Sequence, residues 1–170
     1  MKMKKVITLL LLFIPCLVIA NDNWKYRAAV NSGFYYGDSD HDATTHLISV
    51  EYGYIYKGRF LLGVGAGLEK VKYPGDGAEL VKNYVPIYAD IKYYAPIGGK
   101  VKFLAGVETG YSFSRKVKRY HYTNKVPNEY LLYPQIGLDI KVYKKLSLEF
   151  SGGYRSGYMK QWGFNVGVRF

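Results

Sequence analysis

From residue 24 onward, apolar and polar side chains alternate with a period of two, in runs of about ten residues set apart by turn-forming or polar stretches. A period of two belongs to strands, because successive side chains of extended backbone point to opposite faces. Eight runs are read as strands: Trp24 to Tyr36, His46 to Lys57, Phe60 to Tyr73, Asn83 to Tyr94, Val101 to Phe113, Tyr130 to Lys141, Leu146 to Arg155 and Trp162 to Phe170. Tight turns at Lys57-Gly58-Arg59 and Pro96-Ile97-Gly98-Gly99 alternate with longer polar connections.

The two faces differ sharply. One carries Ile48, Val50, Tyr52, Tyr54 and Tyr56, then Phe60, Leu62, Val64, Ala66 and Leu68, and continues through Val85, Ile87, Ala89 and Ile91 to Leu146, Leu148 and Phe150, without a charge. The other carries Ser49, Glu51, Gly63, Gly65, Gly67, Glu69, Tyr88, Asp90, Lys92, Lys102, Gly106, Glu108, Gln135, Asp139, Lys141, Ser147, Glu149, Arg155, Asn165 and Arg169. Six of the thirteen acids fall on this polar, small-residue face, and the other seven are assigned to the N-terminus or loops.

The N-terminus has a separate character. Lys2, Lys4 and Lys5 precede the apolar run Val6 to Ala20, and Asn21, Asp22 and Asn23 follow it. Charge, apolar stretch and small-residue exit are the layout of a secretory signal peptide, so residues 1–20 are expected to be removed and 21–170 to form one barrel domain. A membrane anchor is disfavoured, because Pro15 interrupts a run shorter than the ~20 residues a spanning helix needs. The single cysteine, Cys16, lies in this run without a lipid-attachment pattern around it, and the exported part has none. Without Lys2, Lys4 and Lys5, 21 of the 24 basic residues remain against 13 acids, a formal charge of +8. That excess suits anionic lipid or polysaccharide. Export argues against nucleic acid.

Alternation alone does not say which face is inside. A soluble sandwich or lipocalin would hide the apolar face; a membrane barrel turns it to lipid. Three features favour the membrane barrel. Aromatic residues gather near strand ends: Tyr35, Tyr36, Tyr54, Tyr56, Tyr73, Tyr93, Tyr94, Tyr111, Tyr130, Tyr154, Tyr158 and Trp162. Rings with a polar tip suit the lipid–water boundary. Short connections alternate with long ones, and the sequence stops within the last strand at an aromatic residue. In hydrocarbon every backbone N–H and C=O needs a partner, so the sheet must close and the last strand must pair with the first. The expectation is an all-β fold, an eight-stranded antiparallel up-and-down transmembrane β-barrel.

The alternating residues Trp162, Phe164, Val166, Val168 and Phe170 look like the C-terminal assembly signal of bacterial outer-membrane barrels. With the signal peptide and the strand count, the chain resembles the OmpA/OmpX-like family of small outer-membrane barrel proteins. The resemblance is one of pattern over the whole exported chain. It implies residence in the outer membrane of a Gram-negative bacterium. It also implies periplasmic chaperones and the barrel-assembly machinery as folding partners, and outer-membrane lipids with lipopolysaccharide as surroundings. No peptidoglycan-binding domain follows the barrel, so that role is not expected.

An eight-stranded barrel is just wide enough to be filled by its own side chains. Glu51, Glu69, Asp90, Glu108, Asp139 and Glu149 are therefore expected to pair in the lumen with Lys92, Lys102, Lys141, Arg155 and Arg169, since buried charges need partners. A structural network is the favoured reading and a proton or ion path the alternative. Gly63, Gly65 and Gly67 share one strand face with no helix after them, which does not suit a nucleotide loop. Asp38, Asp40 and Asp42 beside His41 carry oxygen ligands but lack the EF-hand spacing, so no metal or other cofactor is expected. His121 has Ser112 and Ser114 only at a distance along the chain, with no nucleophile motif, and no catalysis is expected.

The stretch from Ser114 to Lys125 holds Arg115, Lys116, Lys118, Arg119 and Lys125 with two tyrosines and no acid. It is read as an external loop that clamps lipopolysaccharide phosphates or, as the sharper alternative, adheres to anionic host or matrix polymers. The expected function is a non-catalytic structural or surface-interaction role. The alternatives are a narrow porin-like channel for small solutes, and then a lipid A-modifying enzyme.

Overall fold

The computed structural model describes residues 23–37, 43–73, 80–114, 129–156 and 160–170. The residues expected to form the signal peptide lie outside them. Eight strands follow one another: β1 (Trp24–Gly37), β2 (Thr44–Tyr56), β3 (Phe60–Tyr73), β4 (Leu80–Gly98), β5 (Val101–Ser114), β6 (Glu129–Tyr143), β7 (Leu146–Arg155) and β8 (Gln161–Arg169). Each pairs antiparallel with the next, and β8 closes on β1, with Val30 opposite Val168 and Tyr36 opposite Trp162. Closure leaves no strand edge to be satisfied by water, the condition for a sheet in hydrocarbon.

The alternation on the strands settles which face is inside. Ile48, Leu68 and Ile136 are 64, 62 and 62% exposed, whereas Asp90 and Lys92 are 0 and 2% exposed. The apolar residues therefore form the outer wall and the charged ones fill the lumen. Such an outer wall, continuous over most strands, would be unstable in water and is matched to lipid.

At one end, the turn rim, β2–β3, β4–β5 and β6–β7 are joined by residues 57–59, 99–100 and 144–145. In the first of these turns Lys57 and Gly58 have φ of 48° and 69°, and the Arg59 amide donates to the Tyr56 carbonyl at 3.0 Å. Two left-handed residues in succession match the twist of the strands they join, and glycine takes the second without cost. At the other end, the loop rim, the connecting residues 38–42, 74–79, 115–128 and 157–159 lie outside the described residues.

Strand four is longer than its alternation suggests. Pro96 and Ile97 belong to β4, with Pro96 opposite Lys102 and a register shift between Pro96 and Gly98. Proline cannot donate to the ladder, so it reads as a turn, yet it is tolerated at an irregularity near a strand end. The connection shrinks to Gly99 and Lys100.

The lumen is layered. Ala43, Val71 and Tyr84 pack together near the loop rim; Tyr35, Leu47 and Tyr133 form a second apolar cluster; Ile55, Leu61, Tyr94 and Leu104 form a third toward the turn rim. Polar and charged side chains occupy the space between them.

Candidate functional site: the charged lumen

Lys92, on the inward face of β4, is the centre of the largest charged layer. Its Nζ lies 3.2 Å from Glu51 Oε2, 3.0 Å from Asp90 Oδ2 and 2.9 Å from Glu149 Oε1. Asp90 is two residues away on the same strand face, while Glu51 comes from β2 and Glu149 from β7. The barrel wall thus converges on one ammonium from three directions. Tyr88 Oη is 2.8 Å from Ser49 Oγ and 3.1 Å from Glu51 Oε1, and Tyr94 Oη donates to Glu149 Oε2 at 3.0 Å. Beside this layer Gln135 donates to Glu108 Oε1 at 2.7 Å and accepts from Ser151 at 2.7 Å.

Nearer the loop rim, Arg155 makes a two-pronged contact with Glu69: Nη1 to Oε1 at 2.8 Å and Nη2 to Oε2 at 2.9 Å. The planar guanidinium suits this geometry as no ammonium does. Ser112 Oγ joins at 3.2 Å from Arg155 Nη2, and the guanidinium also stands 5.5 Å from the Tyr35 ring centroid. Toward the turn rim, Arg169 Nη2 reaches Asp139 Oδ2 at 2.7 Å, Nη1 reaches Glu149 Oε2 at 3.5 Å, and the group stacks 4.1 Å from the centroid of Tyr94.

These contacts are what a filled, load-distributing interior requires. Among the described residues seven acids are buried (Glu51, Glu69, Asp90, Glu108, Glu129, Asp139, Glu149) against three bases (Lys92, Arg155, Arg169). Each base is consequently shared or doubly bonded. Asp90 is the least provided for: it is fully buried, and neither oxygen receives a hydrogen bond apart from the ion pair with Lys92.

OprG, an outer-membrane protein from Pseudomonas aeruginosa, superposes with a TM-score of 0.58 at 12% identity, covering 85% of this chain and 95% of that one. The N-terminal β-barrel domain of OprF, also from Pseudomonas aeruginosa, superposes with a TM-score of 0.52 at 14% identity, covering 87% of this chain and 98% of that one. The chain has the fold of the eight-stranded outer-membrane barrels. No protein-family model matches it, and none of the curated proteins does.

The lumen brings together most of the charged residues singled out in the sequence. Glu51, Asp90, Lys92, Glu149, Asp139 and Arg169 form one connected set, and Glu69 with Arg155 a second. Glu108 is buried on Gln135. Lys141 is not part of either set. It is exposed at the turn rim, next to the register shift between Lys141 and Tyr143, where the wall ends and water reaches the side chain. Lys102 is also spent elsewhere, its Nζ donating to the Gly58 carbonyl at 2.9 Å.

The tyrosines divide between the faces. Tyr36, Tyr93, Tyr111, Tyr130 and Trp162 are exposed on the outer wall, but Tyr35 and Tyr94, expected beside them, point inward and are 2 and 0% exposed. In each adjacent pair only one side chain can face lipid. Glu129, assigned to a loop from the sequence, is the first residue of β6 and accepts from Tyr84 Oη at 3.4 Å. Inward leucines at 47, 61, 104 and 131 also depart from a purely polar face; their positions on the inward parity were the available signal.

Of the remaining candidates, Ser112 is buried with its hydroxyl on Glu69 and Arg155, and His46 is exposed with its ring 4.6 Å from Phe34. Trp162, Phe164, Val166, Val168 and Phe170 all stand on the outer wall. His41, His121, the three aspartates at 38, 40 and 42, and the basic residues Arg115, Lys116, Lys118, Arg119 and Lys125 lie outside the described residues.

Proposed function

We propose that this protein resides in the bacterial outer membrane, exported behind residues 1–20, and serves there as a non-catalytic structural and surface-interaction protein. The observation that carries the reading is the inversion of the wall, apolar outside and charged within. It supports a lipid-embedded plug. The three apolar clusters across the lumen favour a closed interior over an open channel. The surface role falls to the basic stretch at Arg115, Lys116, Lys118, Arg119 and Lys125, which connects β5 to β6 at the loop rim. Its cations are matched to the phosphates of lipopolysaccharide by charge-assisted hydrogen bonds.

The test replaces these five residues with glutamine and measures binding of the refolded barrel to lipid A vesicles across a salt series. The reading expects weaker binding and a shallower salt dependence than for the unmodified protein, because fewer counterions are released. Unchanged, salt-insensitive binding would overturn it. Planar-bilayer recordings should show no steady current; a stable conductance would replace the plug with a channel.

A further inference from the structure

The turn rim carries the opposite charge from the lumen above it. A pocket of about 310 Å³ opens there, lined by Asn23, Lys25, Arg27, Ile55, Lys57 and Gly58. Lys25 and Arg27 share the inward parity of β1 and stand opposite Ile55 and Gly53 of β2. Lys57 is held in its left-handed turn by its amide, which donates to the Asn23 carbonyl at 2.8 Å, and Lys102 reaches the same turn through Gly58. Ile55 of its lining belongs to the buried apolar cluster with Leu61, Tyr94 and Leu104.

Among the described residues no salt bridge engages Lys25, Arg27, Lys57 or Lys102, and no carboxylate lines the pocket. Asp139, the inward acid that acts on Arg27 and Lys102, pairs through Oδ2 with Arg169 at 2.7 Å and forms no ion pair with either of them. Arg27 Nε is buried without a hydrogen-bond partner. The surrounding rim adds Arg59, Lys100, Lys144 and Lys145, all exposed. Like charges gathered without acids repel one another, an arrangement that an anion relieves.

We propose that the turn-rim pocket is a binding site for a phosphate group, held between Lys25, Arg27 and Lys57. Phosphate fits better than a single carboxylate for two reasons. Lys25, Arg27 and Lys57 all line one space, with the Lys57 ammonium 5.3 Å from the Tyr56 ring centroid, and three cations about one space favour a group with charge on several oxygens, while a guanidinium meets phosphate with two parallel N–H···O bonds. The volume takes the phosphate together with its substituent. Two sources share this chemistry: the headgroup of an anionic phospholipid in the leaflet on that side, and a soluble phosphate compound.

Trp24, adjoining the pocket and 5.0 Å from Tyr56, provides a local reporter once Trp162 at the far rim is replaced by phenylalanine. The W162F protein, refolded in neutral detergent, is titrated at constant ionic strength with dihexanoyl-phosphatidylglycerol, with inorganic phosphate and with dihexanoyl-phosphatidylcholine. Saturable fluorescence change with phosphatidylglycerol at least tenfold tighter than with inorganic phosphate assigns the site to the lipid headgroup. Comparable binding of both assigns it to a soluble phosphate. In either case the K25Q/R27Q/K57Q variant should weaken binding about tenfold or more, and K144Q/K145Q, which changes only rim charge, by less than about twofold. Lys57→Gln alone serves if the triple variant fails to refold, with a loss of about threefold expected. Three results would overturn the proposal: no saturable response, an equal response to phosphatidylcholine, or binding that survives loss of the pocket cations.

Discussion

Replacing Lys92 with methionine isolates the central charge of the lumen. The side chain keeps most of its length and loses its ammonium, leaving Glu51, Asp90 and Glu149 facing one another where Lys92 had lain within 2.9–3.2 Å of each. Removing one partner from a buried ion pair costs about 3–5 kcal/mol, because the remaining charge is left uncompensated. Three carboxylates share this base and, among the described residues, only Glu149 has a second cation, Arg169 at 3.5 Å, so the upper half of that range is expected. Against a total stability of about 5–15 kcal/mol for a domain, such a loss is readily measured. Asp90→Asn should behave differently. It removes one acid from a cluster rich in acids and leaves Lys92 with Glu51 and Glu149, so a cost below about 1 kcal/mol is expected. The double variant K92M/D90N should recover part of the Lys92 loss. The assay is reversible denaturant unfolding of the barrel in phospholipid vesicles, followed by tryptophan fluorescence and by heat-dependent migration on gels. If K92M lies within about 1 kcal/mol of the unmodified protein, or if D90N costs as much as K92M, the lumen is solvated enough to screen its charges and the account of a buried shared network fails.

Three further expectations concern other parts of the barrel. Arg155→Lys should destabilise by about 1–3 kcal/mol in the same unfolding assay, since an ammonium cannot make the two-pronged contact with Glu69 and leaves part of a buried charge unsatisfied; an unchanged midpoint would contradict this. Gly65→Val should cost about 1–3 kcal/mol, because even a Cβ at this position would stand 2.4 Å from the Tyr88 ring, and Tyr88→Ala in the same chain should remove that steric component. Val64→Arg, next to Gly65 but on the outer wall and 55% exposed, should cost about 2–4 kcal/mol in vesicles. A neutral effect of the arginine would mean that this face meets water.

The outer wall was legible in the sequence because lipid imposes a strict rule across its middle: Ile48, Val64, Ile87 and Phe150 fall on the outward parity, which in β3 carries charge only toward the loop rim, at Lys70 and Lys72. The inner wall obeys two rules at once. It holds the charges, but an eight-stranded lumen must also be filled, so Leu104, Tyr88 and Tyr94 share its parity with Asp90 and Lys92 and polarity alone does not identify them. Adjacent pairs such as Tyr93–Tyr94 conceal the division further, since both residues suit a rim by composition and only the phase of the strand separates them. Strand ends were less legible than strand centres. Pro96 and Ile97 resemble a turn, yet they extend β4 through a local irregularity. Ion-pair partners were not legible at all. Glu69 and Arg155 meet 86 residues apart because of the stagger of a closed sheet, which no local pattern encodes.

The most direct measurement is the surroundings of the outer wall. The part of the chain after residue 20 has no cysteine, so single cysteines at positions 48, 64, 87, 136 and 150 can each carry a nitroxide label in the refolded, vesicle-bound protein. Collision with oxygen, which dissolves in the bilayer, should exceed collision with a water-soluble nickel complex at all five positions. Labels that are immobilised and protected from both reagents, in a chain that stays monomeric in water without detergent, would place these residues in a soluble core and contradict the account.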